Sequence, residues 1–379
     1  MSKIKTKFAL VGILCLFLPL LCRAEITGEV ILDWKIYINR WGRYEIVYDP
    51  TQTNPYNWSA EKRLDYNLFE LKRARVCWSK NFSSAISARV QALLEGEDGE
   101  INAQLEQGYF SLKLSQPLYF DLWLGYFYQP WYEWLEKNLW KWDMFIYPQL
   151  WEFEVMPRSE LGIFLQLGKK SPDYEILFGT GYFSDQPNSH DQERFYSEIK
   201  GKASFKDFSF KGAFSYSFRG EESESWHQEI YTAGAGFGYQ AFELTGEYFQ
   251  GKLLVPEGEL YLLGKFPQGL DEYLYLYGRT FLQKKMLEFS GYSLWFSIHP
   301  HSQLWLVWRY DYFDPTKEFE DDKENLFLMG IVYKPIPFMH IGVSFSRRNF
   351  QGTNIPDQDT ESELEPIELI TISLQAQIP

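Results

Sequence analysis

Residues 208–219 read Phe208-Ser209-Phe210-Lys211-Gly212-Ala213-Phe214-Ser215-Tyr216-Ser217-Phe218-Arg219. Successive side chains of a strand point to opposite faces. Phe208, Phe210, Gly212, Phe214, Tyr216 and Phe218 therefore share one face, and Ser209, Lys211, Ala213, Ser215, Ser217 and Arg219 the other. One face suits lipid and the other water. The split recurs at 303–313, where Leu304, Leu306, Trp308, Tyr310 and Tyr312 oppose Trp305, Val307, Arg309 and Asp311. At 338–348, Met339, Ile341, Val343 and Phe345 oppose His340, Gly342, Ser344, Ser346 and Arg348, and near the end Ile370, Ile372, Leu374, Ala376 and Ile378 oppose Thr371, Ser373, Gln375 and Gln377.

Outward from these stretches, the chain repeats a unit of about ten alternating residues closed by turn residues. A soluble β-sandwich alternates in the same way; the connections separate the two. Short links (Ser79–Ser83, Ser115–Pro117, Lys169–Asp173, Lys206–Asp207, His299–Ser302, Pro335–Pro337) take turns with longer polar ones (Arg40–Asp65, Glu95–Glu100, Tyr128–Pro157, Ser184–Glu193, Gly220–Trp226, Asp314–Asn325, Gln351–Glu365). That is the rhythm of periplasmic turns and extracellular loops. The expected fold is all-β: a transmembrane antiparallel β-barrel of about 16 to 18 strands with an inward-folded third extracellular loop.

Composition agrees. Mean hydropathy is only −0.34, but alternation hides a barrel's hydrophobicity from any average. The 14 Trp, 26 Tyr and 31 Phe make 19% of the chain, enough for aromatic girdles at both membrane interfaces. Residues 1–24 read as an export signal: Lys3, Lys5 and Lys7, an apolar run from Phe8 to Leu21, and Cys22-Arg23-Ala24 as the cleavage site. Residues 25–379 then form one barrel domain in a bacterial outer membrane. Cys15 and Cys22 leave with the signal, so Cys77 has no intramolecular partner. Loss of four bases takes the formal charge from −14 to −18, which argues against a nucleic-acid partner.

Within the long connection 128–157, Trp131, Trp134, Leu135, Leu139 and Trp142 recur at spacings near 3.6, which predicts an amphipathic helix. Folded into the lumen it would form a constriction, with Glu133, Glu136, Lys137, Lys141 and Asp143 as its candidate charges; packing over the rim is the competing arrangement. By parity the lumen should show Arg89, Lys113, Lys211, Arg219, Lys265, Arg309 and Arg348 beside Asp33, Asp121, Glu243, Glu247, Glu259 and Asp311. The bland reading of each is a wall charge answered by a cross-strand neighbour.

The chain resembles the phosphate-selective porin family. The resemblance is carried by Leu71-Lys72-Arg73-Ala74-Arg75-Val76, Ser87-Ala88-Arg89-Val90, Gln107-Gly108-Tyr109-Phe110-Ser111-Leu112, Gly125-Tyr126-Phe127-Tyr128-Gln129-Pro130-Trp131, Met156-Pro157-Arg158-Ser159-Glu160-Leu161-Gly162 and Arg309-Tyr310-Asp311-Tyr312-Phe313-Asp314-Pro315. It implies a homotrimer of sixteen-stranded barrels with an inward third loop and anion or phosphate preference. Two departures stand out. Tyr128 occupies a position where the family has Lys, and residues 131–156 hold five acids (Glu133, Glu136, Asp143, Glu152, Glu154) against Lys137 and Lys141. Those charges predict weak or cation-leaning selectivity.

Catalytic chemistry finds no residues to carry it. His190, His227, His299, His301 and His340 have no evident partner constellation, and His299-Pro300-His301 lacks a third metal ligand. No cofactor or metal is expected. The reading is a passive porin for small polar solutes or inorganic ions, embedded in outer-membrane lipids. A non-transporting structural or adhesive barrel is the alternative, and a lumen plugged by bulky apolar residues would be its sign.

Overall fold

The computed structural model describes residues 25–37, 44–48, 56–60, 67–97, 100–114, 118–142, 144–145, 158–184, 194–220, 227–254, 286–314, 317, 323–350 and 367–378. The expected signal segment 1–24 lies outside them. In order, the elements are β1 Glu25–Tyr37, β2 Tyr44–Tyr48, β3 Tyr56–Ala60, β4 Asn67–Asn81, β5 Ile86–Glu97, β6 Glu100–Leu114, β7 Tyr119–Tyr128, α1 Pro130–Asn138, β8 Ser159–Lys170 and β9 Tyr174–Ser184. There follow β10 Arg194–Phe205, β11 Phe208–Arg219, β12 His227–Tyr239, β13 Phe242–Leu254, β14 Met286–His301, β15 Leu304–Asp314, β16 Glu324–Ile336, β17 Met339–Phe350 and β18 Ile367–Ile378. β1 and β4 through β18 close into a sixteen-stranded antiparallel barrel, each strand beside its sequence neighbour, with β1 sealing against β18; β2 and β3 pair separately.

The burial pattern follows the sequence alternation. On β11, Phe208, Phe210 and Phe214 are exposed outward, while Ser215 and Ser217 are buried. Ile26, Val76, Phe178, Leu244, Leu294 and Ile331 continue this apolar exterior around the wall. So much exposed apolar surface would be an aggregation liability in water and is what hydrocarbon covers.

Short turns gather at one end, including the two-residue turns Lys206-Asp207 and Gln240-Ala241, whose first residues take φ of 52° and 49°. Positive φ there matches the twist of paired strands. Three details of the expected link pattern change. Glu95–Glu100 is no long loop, because β5 and β6 extend until only residues 98–99 separate them. The turn at Gln240-Ala241 joins the short set. Finally, β13 pairs directly with β14 from Phe242↔Ile298 to Leu254↔Met286, closing the wall at sixteen strands. Lys265 and Glu259 therefore fall between these paired strands and lie outside the described residues.

The interior departs from a simple water-filled channel. Phe127, Phe164, Phe183, Tyr196, Phe249, Phe289 and Phe313 point inward and are buried in one cluster with Trp295, Val307 and Leu328. Ring contacts such as Trp123–Phe164 at 5.3 Å and Phe127–Phe183 at 5.6 Å knit it together.

Candidate functional site

Helix α1 opens on Pro130, whose fixed φ suits the first helical position. Glu133 in its first turn and Lys137 in its last complement the helix dipole and pair with each other. Burial works to raise the Glu133 carboxyl, but Lys137, aided by Lys200 and Arg89, holds it below the ordinary carboxylate range. The helix ends at Leu139, where the N–H groups of Leu139 and Trp140 both donate to the Leu135 carbonyl at 2.9 Å.

Residues 130–142, 144 and 145 touch inward-facing groups on β4 and on β11 through β18. The Trp131 indole N–H donates to Glu247 of β13 at 2.9 Å. Lys211 of β11 donates to the Asn138 carbonyl at 2.8 Å, and Lys141 pairs with Glu243 at 2.9 Å. Trp140 lies against Trp295 of β14 with ring centroids 5.6 Å apart, and Trp142 against Trp305 of β15 at 6.2 Å. Lys72 of β4 donates to the carbonyls of Met144 and Phe145 at 3.1 and 3.0 Å; the Ser373 hydroxyl of β18 lies 3.0 Å from the Met144 carbonyl.

Glycines on the wall make room for this segment. A Cβ on Gly234 of β12 would stand 2.9 Å from both Trp134 and Leu139. One on Gly330 of β16 would stand 2.9 Å from Phe145, and one on Gly342 of β17 would stand 2.6 Å from Phe145 and 2.8 Å from Met144. Trp131, Leu135, Leu139, Trp140 and Met144 are each no more than 3% exposed. At about 1.5–3 kcal/mol per buried large side chain, their burial is worth on the order of 10 kcal/mol as an upper estimate, enough to hold the segment in one place.

The lumen candidates on described strands take the predicted parity, and nearly all are engaged. Lys113 reaches Asp121 at 3.9 Å, and Tyr119 donates to Asp121 at 2.8 Å. Lys211 joins Glu243 at 2.8 Å, and Arg348 joins Glu324 at 3.0 Å. Arg309 pairs with Asp311 at 2.6 Å and lies beside the contacting rings of Trp140 and Trp295, 4.8 and 5.7 Å from their centroids. Asp33 accepts from Ser373 at 2.6 Å and stands 3.7 Å from Lys72. Arg219 is half-buried toward the long-link end of β11. Arg89 donates to Gln91 at 2.6 Å. Asp143, and with it Glu152 and Glu154, lies outside the described residues. Glu136 reaches Arg75 at 3.4 Å.

Period-two parity missed the densest charge cluster. Arg75 contacts Glu106 at 3.1 Å, Glu29 at 3.5 Å and Glu136, while Arg158 pairs with Glu106 and with Glu95 at 3.5 Å. Both guanidinium groups lie over the Tyr128 ring, at 5.7 and 4.9 Å. Register shifts explain only part of the omission, since Glu29 shares the parity of Asp33 on β1. One at Ile31/Leu32 buries the adjacent residues Lys72 and Arg73, and one at Gln91/Ala92 buries Glu106 beside Gln107. Bulges of this kind place two consecutive residues against one partner and break the alternation. The basic run Leu71–Val76 was the one visible signal.

Beside this cluster, a cavity of about 580 Å³ runs from α1 to Pro337 and Phe338 in the β16–β17 turn, with Arg75, Arg89, Glu133 and Glu136 among its lining residues. No group of His, Cys, Asp and Glu among the described residues could hold a metal ion. His299 stacks on Trp305 with centroids 6.0 Å apart, His301 accepts from the Gln303 N–H at 3.3 Å, and His340 bonds Gln375 at 2.8 Å.

No protein-family model and no curated protein sequence matches the chain. Solved structures do. An anion-selective porin from Comamonas acidovorans superposes with a TM-score of 0.59 at 10% identity, over 94% of this chain and 99% of that one. Salmonella typhi OmpF in complex with daunomycin gives 0.58 at 12% identity, over 94% and 97%. A trimer form of OmpT, an outer membrane protein of Vibrio cholerae, gives 0.57 at 8%, over 93% and 98%. The shared property is the fold, a closed sixteen-stranded barrel.

Proposed function

We propose that this chain is an outer-membrane porin of small bore that lets small polar solutes diffuse passively past an inward-folded third connection, described at residues 129–142, 144 and 145. The observation that carries the reading is the set of contacts this segment makes with β4 and with β11 through β18. A segment anchored on so many strands of one closed barrel constricts it, and the cavity at Arg75 and Arg89 is the space left for solute. Export by a signal ending at Ala24, long links facing outward and assembly as a homotrimer complete the proposal. The trimer form among the similar structures motivates the last point.

The phosphate preference that the resemblance implies has little support from the lumenal charges. Selective anion passage needs a ladder of free cations, whereas Lys113, Lys211, Arg309 and Arg348 all stand in ion pairs. We therefore propose weak ion selectivity. The interior aromatics favour a second reading, a non-transporting structural or adhesive barrel: Trp131, Trp134, Trp140, Trp142 and Trp295 fill space that an open channel leaves to water. Recording from planar bilayers separates the two. Small, stepwise KCl currents are expected of the porin, and a folded barrel that inserts without any current steps would establish the second reading instead.

A further inference from the structure

The cavity at α1 holds three basic and three acidic lining side chains, Arg75, Arg89 and Lys137 against Glu29, Glu133 and Glu136. Most of this charge is spoken for. Arg75 is shared among Glu29, Glu106 and Glu136. Arg89 differs: among the described residues its guanidinium donates to the neutral Gln91, and its Nε is buried with no hydrogen-bond partner. Arg89 lines the cavity with no carboxylate bonded to it among the described residues, so its charge faces the cavity unanswered. The anionic pole is Glu133, whose ammonium partner Lys137 belongs to an i,i+4 pair with a side chain 63% exposed. Exposed pairs of this kind contribute only about 0.3–0.5 kcal/mol, so a better-placed ammonium group can displace Lys137. Glu133 and Arg89 are close enough for each to feel the other's charge.

We propose that this cavity is a binding site for a small zwitterion, its carboxylate received by Arg89 and its ammonium group by Glu133 in place of Lys137. A cavity with no net lining charge gives a lone anion or a lone cation no overall attraction, whereas a molecule carrying both poles has each one answered as it leaves water. Thr27, Gln91, Gln107 and Gln377 supply neutral hydrogen-bonding groups around the two poles. The volume, about 580 Å³, lies in the usual range for small-molecule sites. This inference rests on the reading that the cavity belongs to the solute path.

The test is calorimetric titration of the full-length barrel in detergent micelles with alanine, propionate and propylammonium as probes. Alanine is expected to bind at least about tenfold more tightly than either single-pole probe, as one extra charge-assisted hydrogen bond implies. Arg89→Gln and Glu133→Gln should each weaken alanine about tenfold. Arg89→Gln should not weaken propylammonium, and Glu133→Gln should not weaken propionate, since each substitution removes a charge that repels that probe. Strand content by circular dichroism checks each variant; Arg89→Lys and Glu133→Asp replace any that fails to fold and should bind alanine with intermediate strength. Alanine binding no tighter than the single-pole probes, or unaffected by either substitution, overturns the site. Alanine binding in a barrel that passes no KCl current would sink the porin reading and leave the site standing. Current without alanine preference would do the reverse.

Discussion

The indole N–H of Trp131, in the first turn of α1, donates to the buried carboxylate of Glu247 on β13 at 2.9 Å. This bond ties the helix to a wall strand more than a hundred residues away in sequence. Glu247→Leu removes the acceptor and leaves the indole N–H unsatisfied in an apolar setting, a loss of about 1–3 kcal/mol. The substitution should loosen the segment and raise single-channel conductance or its noise, while Glu247→Gln, which keeps a carbonyl acceptor, should behave nearly as the parent. Equal recordings for all three would show that this bond does not hold the constriction.

Gly342 offers a steric test of the same segment. An added Cβ there meets Phe145 at 2.6 Å and Met144 at 2.8 Å, so Gly342→Val should displace 144–145 and widen the passage. At Gly212 an added Cβ meets nothing nearer than the Gly234 carbonyl at 3.8 Å, so Gly212→Ala should change nothing. Exclusion limits for uncharged polymers measure both.

The wall itself predicts a parity difference between neighbours. Phe214 is 46% exposed on the outer face, whereas Ser215 is buried and bonded to Thr232 at 2.5 Å. Phe214→Arg should impair membrane assembly, at about 2–4 kcal/mol for a cation near the bilayer midplane. Ser215→Ala loses one hydrogen bond, about 0.5–1.5 kcal/mol, and should still assemble. Insertion yields into lipid vesicles distinguish them.

Acid should weaken α1 through Glu133. Its carboxyl sits below the ordinary carboxylate range in the folded protein, so the unfolded state binds more protons in that window and stability rises with pH. The contribution is complete above the ordinary value of about 4.3 and is lost as pH falls through the lowered folded value. The stability difference between the parent and Glu133→Gln should therefore shrink toward zero below about pH 4. A difference that persists unchanged into acid would mean that the Glu133 charge is not engaged.

Thiol labelling of intact cells tests the orientation. Engineered cysteines at Asn188, Glu222, Asp321 and Asp359, all in long links, should react with an impermeant reagent. Labelling at Pro172 or Ile336, at the short-turn end, would invert the barrel.

Local patterning along the chain specifies the wall strands. Alternation such as that from Phe208 to Arg219 depends only on the two-residue repeat of a strand, and the serial order of hairpins follows from turn residues, so strand facing and hairpin order were local properties, whereas closure required β1 to meet β18 from Gly28↔Ile378 to Tyr37↔Leu369. It also marked α1, because the 3.6-residue spacing of Trp131, Trp134 and Leu135 is equally local. What fills the barrel depends on contacts between distant segments. Bulges at Ile31/Leu32 and Gln91/Ala92 turn adjacent residues inward together, and a bulge depends on the partner strand's register, which no single stretch encodes. The seats at Gly234, Gly330 and Gly342 have meaning only against Leu139 and Phe145, brought to them by a fold that joins residues one to two hundred positions apart. The pairing of Arg75 with Glu29, Glu106 and Glu136, which leaves Arg89 as the cavity's open cation, arises the same way: charge is written in the sequence, but compensation is a matter of distance in space.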